Sequence, residues 1–327
     1  MRQPTRRILL AFFLVAALTV FFLLSRRSRS PEPGPERGKL VARFLDVGQG
    51  DSELIYLPDG EAALIDSGDR GAPTVELLRN YGVRQIRLVI ATHPHSDHIG
   101  EMRDILRSFK VDEFWDSGFN HPTRTYGDML EEIRDRGVKF ATPKRGFSSE
   151  IGGVLFEVLN PPEQPLDDQP NNASIVVRLT YGDTRMLFAG DAEVRAWAEM
   201  FAANTEGLAA DLLKAAHHGS SNGTTRQVLD AVRPSIVVVS CGRGNDYHHP
   251  HPNFIRLLRE TPAVSLFRTD LQGTVSAISD GKGIDVGTER TIGADRLYLT
   301  GDEVAGKLAS DGGSDGGSRR KHARGGK

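Results

Sequence analysis

Cysteine is nearly absent: the 327 residues hold one, Cys241, which excludes an internal disulfide. With Val237 to Val239 beside it, that thiol reads as a buried structural residue, and cysteine usage leaves the compartment open. A charge excess is also missing. The formal net charge is −2, so composition alone gives no argument for a polyanionic partner, and any affinity for nucleic acid must come from a local patch or from bound metals. There is no internal repeat. Histidine is scarce over a long middle stretch, where His121 is the only one between residues 99 and 216.

Histidine is instead concentrated at one point. Thr92-His93-Pro94-His95-Ser96-Asp97-His98-Ile99-Gly100 packs three imidazoles and a carboxylate into six residues, directly after the apolar run that ends at Ile90. Residues two apart in an extended or turning backbone point the same way, so His93 and His95 can share one metal while Asp97 and His98 serve a second. Neutral imidazole and carboxylate suit zinc, manganese or iron. A lone histidine in such a loop is more often a surface residue, but an HxHxDH cluster at a strand end reads as a metal site.

These residues resemble the metallo-β-lactamase superfamily, and the resemblance extends over roughly residues 40 to 280. Leu64-Ile65-Asp66-Ser67-Gly68 looks like the strand and turn whose aspartate orients the histidine loop from outside the ligand set. Phe188-Ala189-Gly190-Asp191 looks like the strand end whose carboxylate bridges two metals, and Ala216-His217-His218-Gly219-Ser220 like a later histidine motif. Together with Phe44 to Ser52 (FLDVGQGDS), Asn171-Asn172 before Ser174, and Tyr247-His248-His249-Pro250-His251-Pro252, the set resembles the C-terminal hydrolase domain of the ComEC DNA-uptake channel.

The resemblance implies two divalent metal ions, zinc or manganese, with His93, His95, Asp97, His98, Asp191 and His218 as ligands and Asp66 behind them. Many members have a further histidine between the HxHxDH loop and the bridging aspartate. Here Gln169 to Ser174 has none, so the first metal is expected to be weakly held, or Asn172 and water to fill its sphere. His218 is the favoured final ligand. The alternative has His217 or His218 as the general acid and His249 in the metal sphere. The catalytic set is then Asp97, Asp191, His217 and His249, with Asn172, Ser220, Ser221, Asn222 and His121 on the substrate side.

The chain ends differ in character from the middle. Ile8 to Leu24 carries no charge and is flanked by arginines on both sides, without a small-residue cleavage site after it, which reads as an uncleaved membrane anchor over residues 1–29. A proline-rich linker follows at 30–39, the hydrolase domain at 40–286, and a flexible tail at 287–327. Within the domain, strand patterns at Leu40 to Leu45, Ser52 to Leu57 and Ala62 to Ile65 suit an antiparallel meander. Helical patterns fall at 74–81, 102–109 and 126–136, the last ending at Gly137. Further strands are expected at 154–159, 174–181, 184–189, 212–216 and 236–240, with helices at 194–202, 225–232 and 253–260. Pattern alone gives mixed α and β; the resemblance implies a four-layer αββα sandwich.

Three functions are compatible with these features. The first is a membrane-anchored, metal-dependent phosphodiesterase acting on DNA outside the cytoplasmic membrane. The second is hydrolysis of a lactone, thioester or β-lactam, since the fold and metals serve all three. The third is a non-catalytic metal-binding protein.

Overall fold

The structure, a computed structural model, describes residues 37 to 310; the expected anchor, most of the linker and the end of the tail lie outside the described residues. The first half of the described chain supplies strands β1 (Leu40–Phe44), β2 (Glu53–Tyr56), β3 (Ala62–Ile65), β4 (Gln85–Ala91), β5 (Lys110–Asp116) and β6 (Lys139–Ala141). The second supplies β7 (Ser148–Ile151), β8 (Val154–Asn160), β9 (Val176–Tyr181), β10 (Thr184–Phe188), β11 (Leu212–Lys214), β12 (Ile236–Val239) and β13 (Ser265–Arg268), before β14 (Val275–Ser279) and β15 (Ile284–Thr288) return to the first sheet.

The sheet orders are β15-β14-β1-β2-β3-β4-β5-β6 and β13-β12-β11-β10-β9-β8-β7. Each sheet is antiparallel where hairpins make it and parallel where helical crossovers intervene: β3, β4, β5 and β6 are parallel in one, β10 to β13 in the other. The carboxyl ends of β3, β4, β10, β11 and β12 all feed loops at one edge of the sandwich, where ligands of α/β sheets usually bind.

Three apolar clusters explain the layering. Between the sheets lie Phe44, Ile65, Ile90, Phe156, Phe188 and Val238, all buried, with Phe44 and Phe188 stacked across the gap at 5.8 Å. Helices α1 (Thr74–Asn80), α3 (Met102–Ser108) and α4 (Arg124–Arg136) cover the outer face of the first sheet through Leu78, Ile105, Met129 and Ile133. A one-turn α2 (Ser96–Ile99) precedes α3. Helices α5 (Val194–Asn204), α6 (Arg226–Val232) and α7 (Pro252–Arg259) cover the second sheet through Trp197, Leu229 and Phe254. Helix α4 stops where Gly137 takes the left-handed conformation, φ 63°.

The structure adds two features that sequence pattern did not show. Strand β5 had no strand signal because Lys110, Asp112 and Glu113 interrupt its alternation; in the fold Glu113 is neutralised by Lys139 and accepts from the Trp115 indole, so the strand sits between β4 and β6. Residues 287 to 310, the start of the expected tail, carry helices in the structure. Helices α8 (Thr269–Gln272), α9 (Ala294–Leu297) and α10 (Gly301–Ser310) complete the described chain, and the last two dock on the body. The buried Arg268 guanidinium donates to the carbonyls of Leu297 and Leu299, Gly301 N–H donates to Pro250 O at 3.0 Å, and Val304 is buried. Few apolar residues and a handful of backbone bonds hold this segment, too little to register as periodicity. Among the described residues no helix is long and apolar enough to cross a membrane.

Candidate metal centre

The histidine loop is shaped by Asp66, which lies in the turn after β3 at φ 56° and is fully buried. Its carboxylate accepts from Thr92 N at 2.8 Å, from Thr92 Oγ1 at 2.7 Å and from His98 Nδ1 at 2.7 Å. The last bond fixes the His98 ring and turns its Nε2 inward. Just before, the Gly48-Gln49-Gly50 turn packs on the same loop so closely that a Cβ on Gly50 would fall 2.1 Å from the Asp97 carbonyl oxygen; Asp51 N–H donates to that oxygen at 3.1 Å.

From the second sheet, β10 delivers Asp191, whose N–H donates to Ser174 Oγ at 3.2 Å. Strand β11 delivers His217 and His218, both in left-handed backbone (φ 51° and 54°), so that adjacent side chains both reach the cleft. Four imidazoles converge on one carboxylate oxygen, Asp191 Oδ2: His98 Nε2 at 3.3 Å, His217 Nε2 and His218 Nε2 at 3.6 Å, and His93 Nε2 at 3.9 Å. His95 Nδ1 is 3.0 Å from His93 Nε2, and Asp97 Oδ2 is 3.2 Å from His218 Nε2. Two triads, His93-His98-Asp191 and Asp97-His98-His218, bring their ligand atoms within 4.8 Å of one another.

The donor chemistry fits divalent cations. His98 Nε2, His218 Nε2 and Asp191 Oδ1 are buried with no hydrogen-bond partner, an arrangement that costs free energy unless something binds there. Electrostatics agree. Burial alone would depress His218, but the Asp191 and Asp51 carboxylates outweigh it and push its pKa to about 10. His98 is likewise raised well above the ordinary histidine range by Asp191 and Asp66 against the effect of burial. Burial would raise Asp191, yet the His218 and His98 charges hold it well below the usual carboxylate range. Positive charge is wanted at this point of the protein.

The Metallo-beta-lactamase superfamily model matches residues 45 to 243. The chain belongs to this superfamily. Its members' fold supports a divalent-metal-dependent hydrolase, and the histidine and aspartate cluster supplies candidate ligands. The chain is similar to ComE operon protein 3 of Bacillus subtilis (30% identical over 252 residues, 71% of this chain and 32% of that protein). It is also similar to Recombination protein 2 of Haemophilus influenzae (31% over 228 residues, 67% and 26%) and Competence protein ComA of Neisseria gonorrhoeae (29% over 260 residues, 78% and 34%). The chain spans about a third or less of the length of these relatives.

Within this superfamily site, a cleft of about 270 Å³ is lined by Gln49, His95, Asp97, Asp191, His217, His218 and His249 among others. Asn172 does not reach it. Its Oδ1 accepts from Ala196 N–H in the first turn of α5 at 3.4 Å and its Nδ2 donates to Asp167 at 2.9 Å, so the amide secures the helix start. The neighbouring Asn171 faces the cleft instead and donates to Glu193 Oε1 at 2.8 Å. Ser220, Ser221 and Asn222 do not line the cleft; Ser220 Oγ donates to Asn222 Oδ1 at 2.6 Å. His121 stands 6.0 Å from His95, ring to ring, and shares a 3.0 Å hydrogen bond with Thr123. His249 is buried, 5.5 Å from the His217 ring and 6.0 Å from that of His218. Burial and those two neighbours lower its pKa to about 4.

Sequence reasoning missed the layer beneath the ligands. Lys214 and Asp51, both buried, form an ion pair, and Asp51 Oδ1 lies 3.1 Å from His218 Nδ1, which also lies 3.0 Å from Ser240 O. Glu53, also buried, has its pKa raised well above normal by burial and by Asp51. Glu193 Oε1 is 3.3 Å from His217 Nδ1. A lysine in the apolar β11 run and two acids around the β2 start were the only signals available.

Proposed function

We propose that the chain is a metal-dependent phosphodiesterase that cuts DNA outside the cytoplasmic membrane, held there by the anchor at residues 1–29. The observation that carries the reading is the convergence of His93, His98, His217 and His218 on Asp191 Oδ2 in an open cleft, in a chain whose relatives are competence proteins. His93, His95, Asp97, His98, Asp191 and His218 would hold the cations. When bound, a pair of zinc or manganese ions supplies charge stabilisation for a phosphoryl group and lowers the pKa of water.

The chain's own residues do the rest. Asp66 keeps the His98 proton on Nδ1, leaving Nε2 free toward the cleft. Asp51 and the Ser240 carbonyl do the same for His218. His217, with Nδ1 facing Glu193, presents Nε2 to the cleft as the proton donor to the leaving oxygen. In the hydrolysis, the water oxygen bonds to phosphorus and gives up a proton, the phosphorus–oxygen ester bond breaks, the departing alkoxide takes the His217 proton as a hydroxyl, and the proton released by the water replaces the one His217 gave.

The test incubates the full-length protein with fluorescent single- and double-stranded DNA and Mn²⁺, Zn²⁺, Mg²⁺ or chelator, beside Asp191→Ala and His95→Ala. Metal-dependent cutting that both variants lose, with their far-UV spectra unchanged, is expected. No cutting by a protein holding stoichiometric metal would overturn the reading in favour of another hydrolysable bond. The anchor is tested by deletion: a chain lacking residues 1–30 should leave the membrane fraction, and its retention there would refute that part.

A further inference from the structure

Tyr247 is 63% exposed, the most exposed of the large hydrophobic side chains among the described residues, and it lies on the cleft. The exposed Phe140 and Phe147 rest on Phe114 and Trp115 of the core, at 6.3 and 5.3 Å between ring centroids. The Tyr247 ring instead stacks on His249, with centroids 5.9 Å apart and planes within 20°, and His249 in turn abuts His217 and His218. The loop that carries it is pinned. Asn245 Nδ2 donates to Gly242 O and His249 O, while its Oδ1 accepts from Tyr247 N–H and His249 N–H. His248 pairs with Asp302 of α10, and Gly301 fits against the His248 and His249 backbone with no room for a side chain. An aromatic face left in water on a loop held this firmly is built to be covered by something flat.

We infer that Tyr247, backed by the buried His249, forms a stacking ledge for the nucleobase beside the attacked phosphodiester, so that the DNA strand enters the cleft unpaired. This deepens the nuclease reading above and rests on it. With cations held by its histidines and carboxylates, the cleft floor would suit a phosphoryl group, while the ledge offers the exposed Tyr247 ring face. Every base has a π face, so the ledge is tolerant of sequence. A base inside a duplex is already stacked on both sides, and freeing it costs a few kcal/mol. The ledge therefore selects single strands, frayed ends or flaps over intact duplex.

The experiment uses the full-length protein with Mn²⁺ and compares kcat/KM on two single-stranded oligonucleotides, one carrying its bases and one with abasic tetrahydrofuran residues throughout. Wild type should favour the base-bearing strand by about 5- to 150-fold, the range for stacking of one base. Tyr247→Ala should lose at least most of that ratio, through KM on the base-bearing strand, and Tyr247→Phe and Tyr247→Trp should keep it. A ratio unchanged within twofold in Tyr247→Ala, or lost equally in Tyr247→Phe, would overturn the ledge while leaving the nuclease standing. If neither strand is cut by metal-loaded wild type, the nuclease reading falls and the ledge with it.

Discussion

Replacing Asp66 by asparagine tests how the centre is organised, because the change is nearly isosteric and alters only which atoms can donate. The native carboxylate accepts from three donors: Thr92 N–H, Thr92 Oγ1 and His98 Nδ1. Asparagine has one acceptor oxygen. If that oxygen stays on Thr92 N–H, the amide NH₂ faces His98 Nδ1, which must then accept; the imidazole proton moves to Nε2 and blocks the lone pair that faces Asp191 at 3.3 Å. If the amide flips, its NH₂ meets Thr92 N–H. Either way a charge-assisted hydrogen bond of about 1.5–3 kcal/mol is lost from the metal-binding state, which corresponds to roughly tenfold to a hundredfold in metal affinity. Competition against a chromophoric chelator measures this, with urea unfolding of the metal-free protein checking that the fold survives. Thr92→Val, which removes one donor without touching the His98 tautomer, should lose only a few-fold. Affinity within twofold of wild type in Asp66→Asn would refute the reasoning.

Two predictions concern groups outside the ligand set. Burial raises the Asp116 pKa to about 6 despite hydrogen bonds from Gly118 N–H and Tyr126 Oη, and the unfolded value is near 3.8. The folded state therefore binds the proton more tightly, so this group withdraws stability as pH rises from about 4 through 6, by about 3 kcal/mol at neutrality. Asp116→Asn should abolish that slope and stabilise the protein at pH 7.5 but not at pH 4, as read by urea unfolding; equal stability of the two proteins at both pH values would contradict it. Lys214→Met should leave the buried Asp51 carboxylate without its lysine and with His218 as its nearest cationic partner, at a cost of roughly 3–5 kcal/mol at pH 7. The loss should shrink at acid pH, where Asp51 can take a proton, and a loss below about 1 kcal/mol at pH 7 would count against the pair's structural role.

What could be read from sequence follows from where each signal sits along the chain. The HxHxDH loop was legible because ligand chemistry is local: His93 to His98 occupy six residues and end an apolar strand. The antiparallel β1-β2-β3 start and helix α4 were legible through period and Gly137. Strand β5 was hidden because the Glu113 charge is satisfied across strands, by Lys139 of β6, which no window of β5 contains. Asn171 and Asn172 were indistinguishable as letters; a turn over Pro170–Ala173 sends one amide to the cleft and the other to the start of α5. Tyr247 had meaning only as part of a motif until the loop placed its ring against His249.

The buried charges suggest why the centre and the fold are separable. A structural metal site holds unfolded segments together, and such domains lose their fold with the metal. Here Asp51 is already matched by Lys214, and Asp191 and Asp97 face His98 and His218, whose pKa values the surrounding carboxylates raise, that of His218 to about 10. Cation binding exchanges their protons for a stronger positive charge instead of creating the only compensation for the carboxylates. The two sheets are meanwhile joined by a dry core centred on Phe44 and Phe188 that owes nothing to the cluster. Metal loss should therefore remove the chemistry and let the histidines take protons back from solvent, while the sandwich keeps its shape.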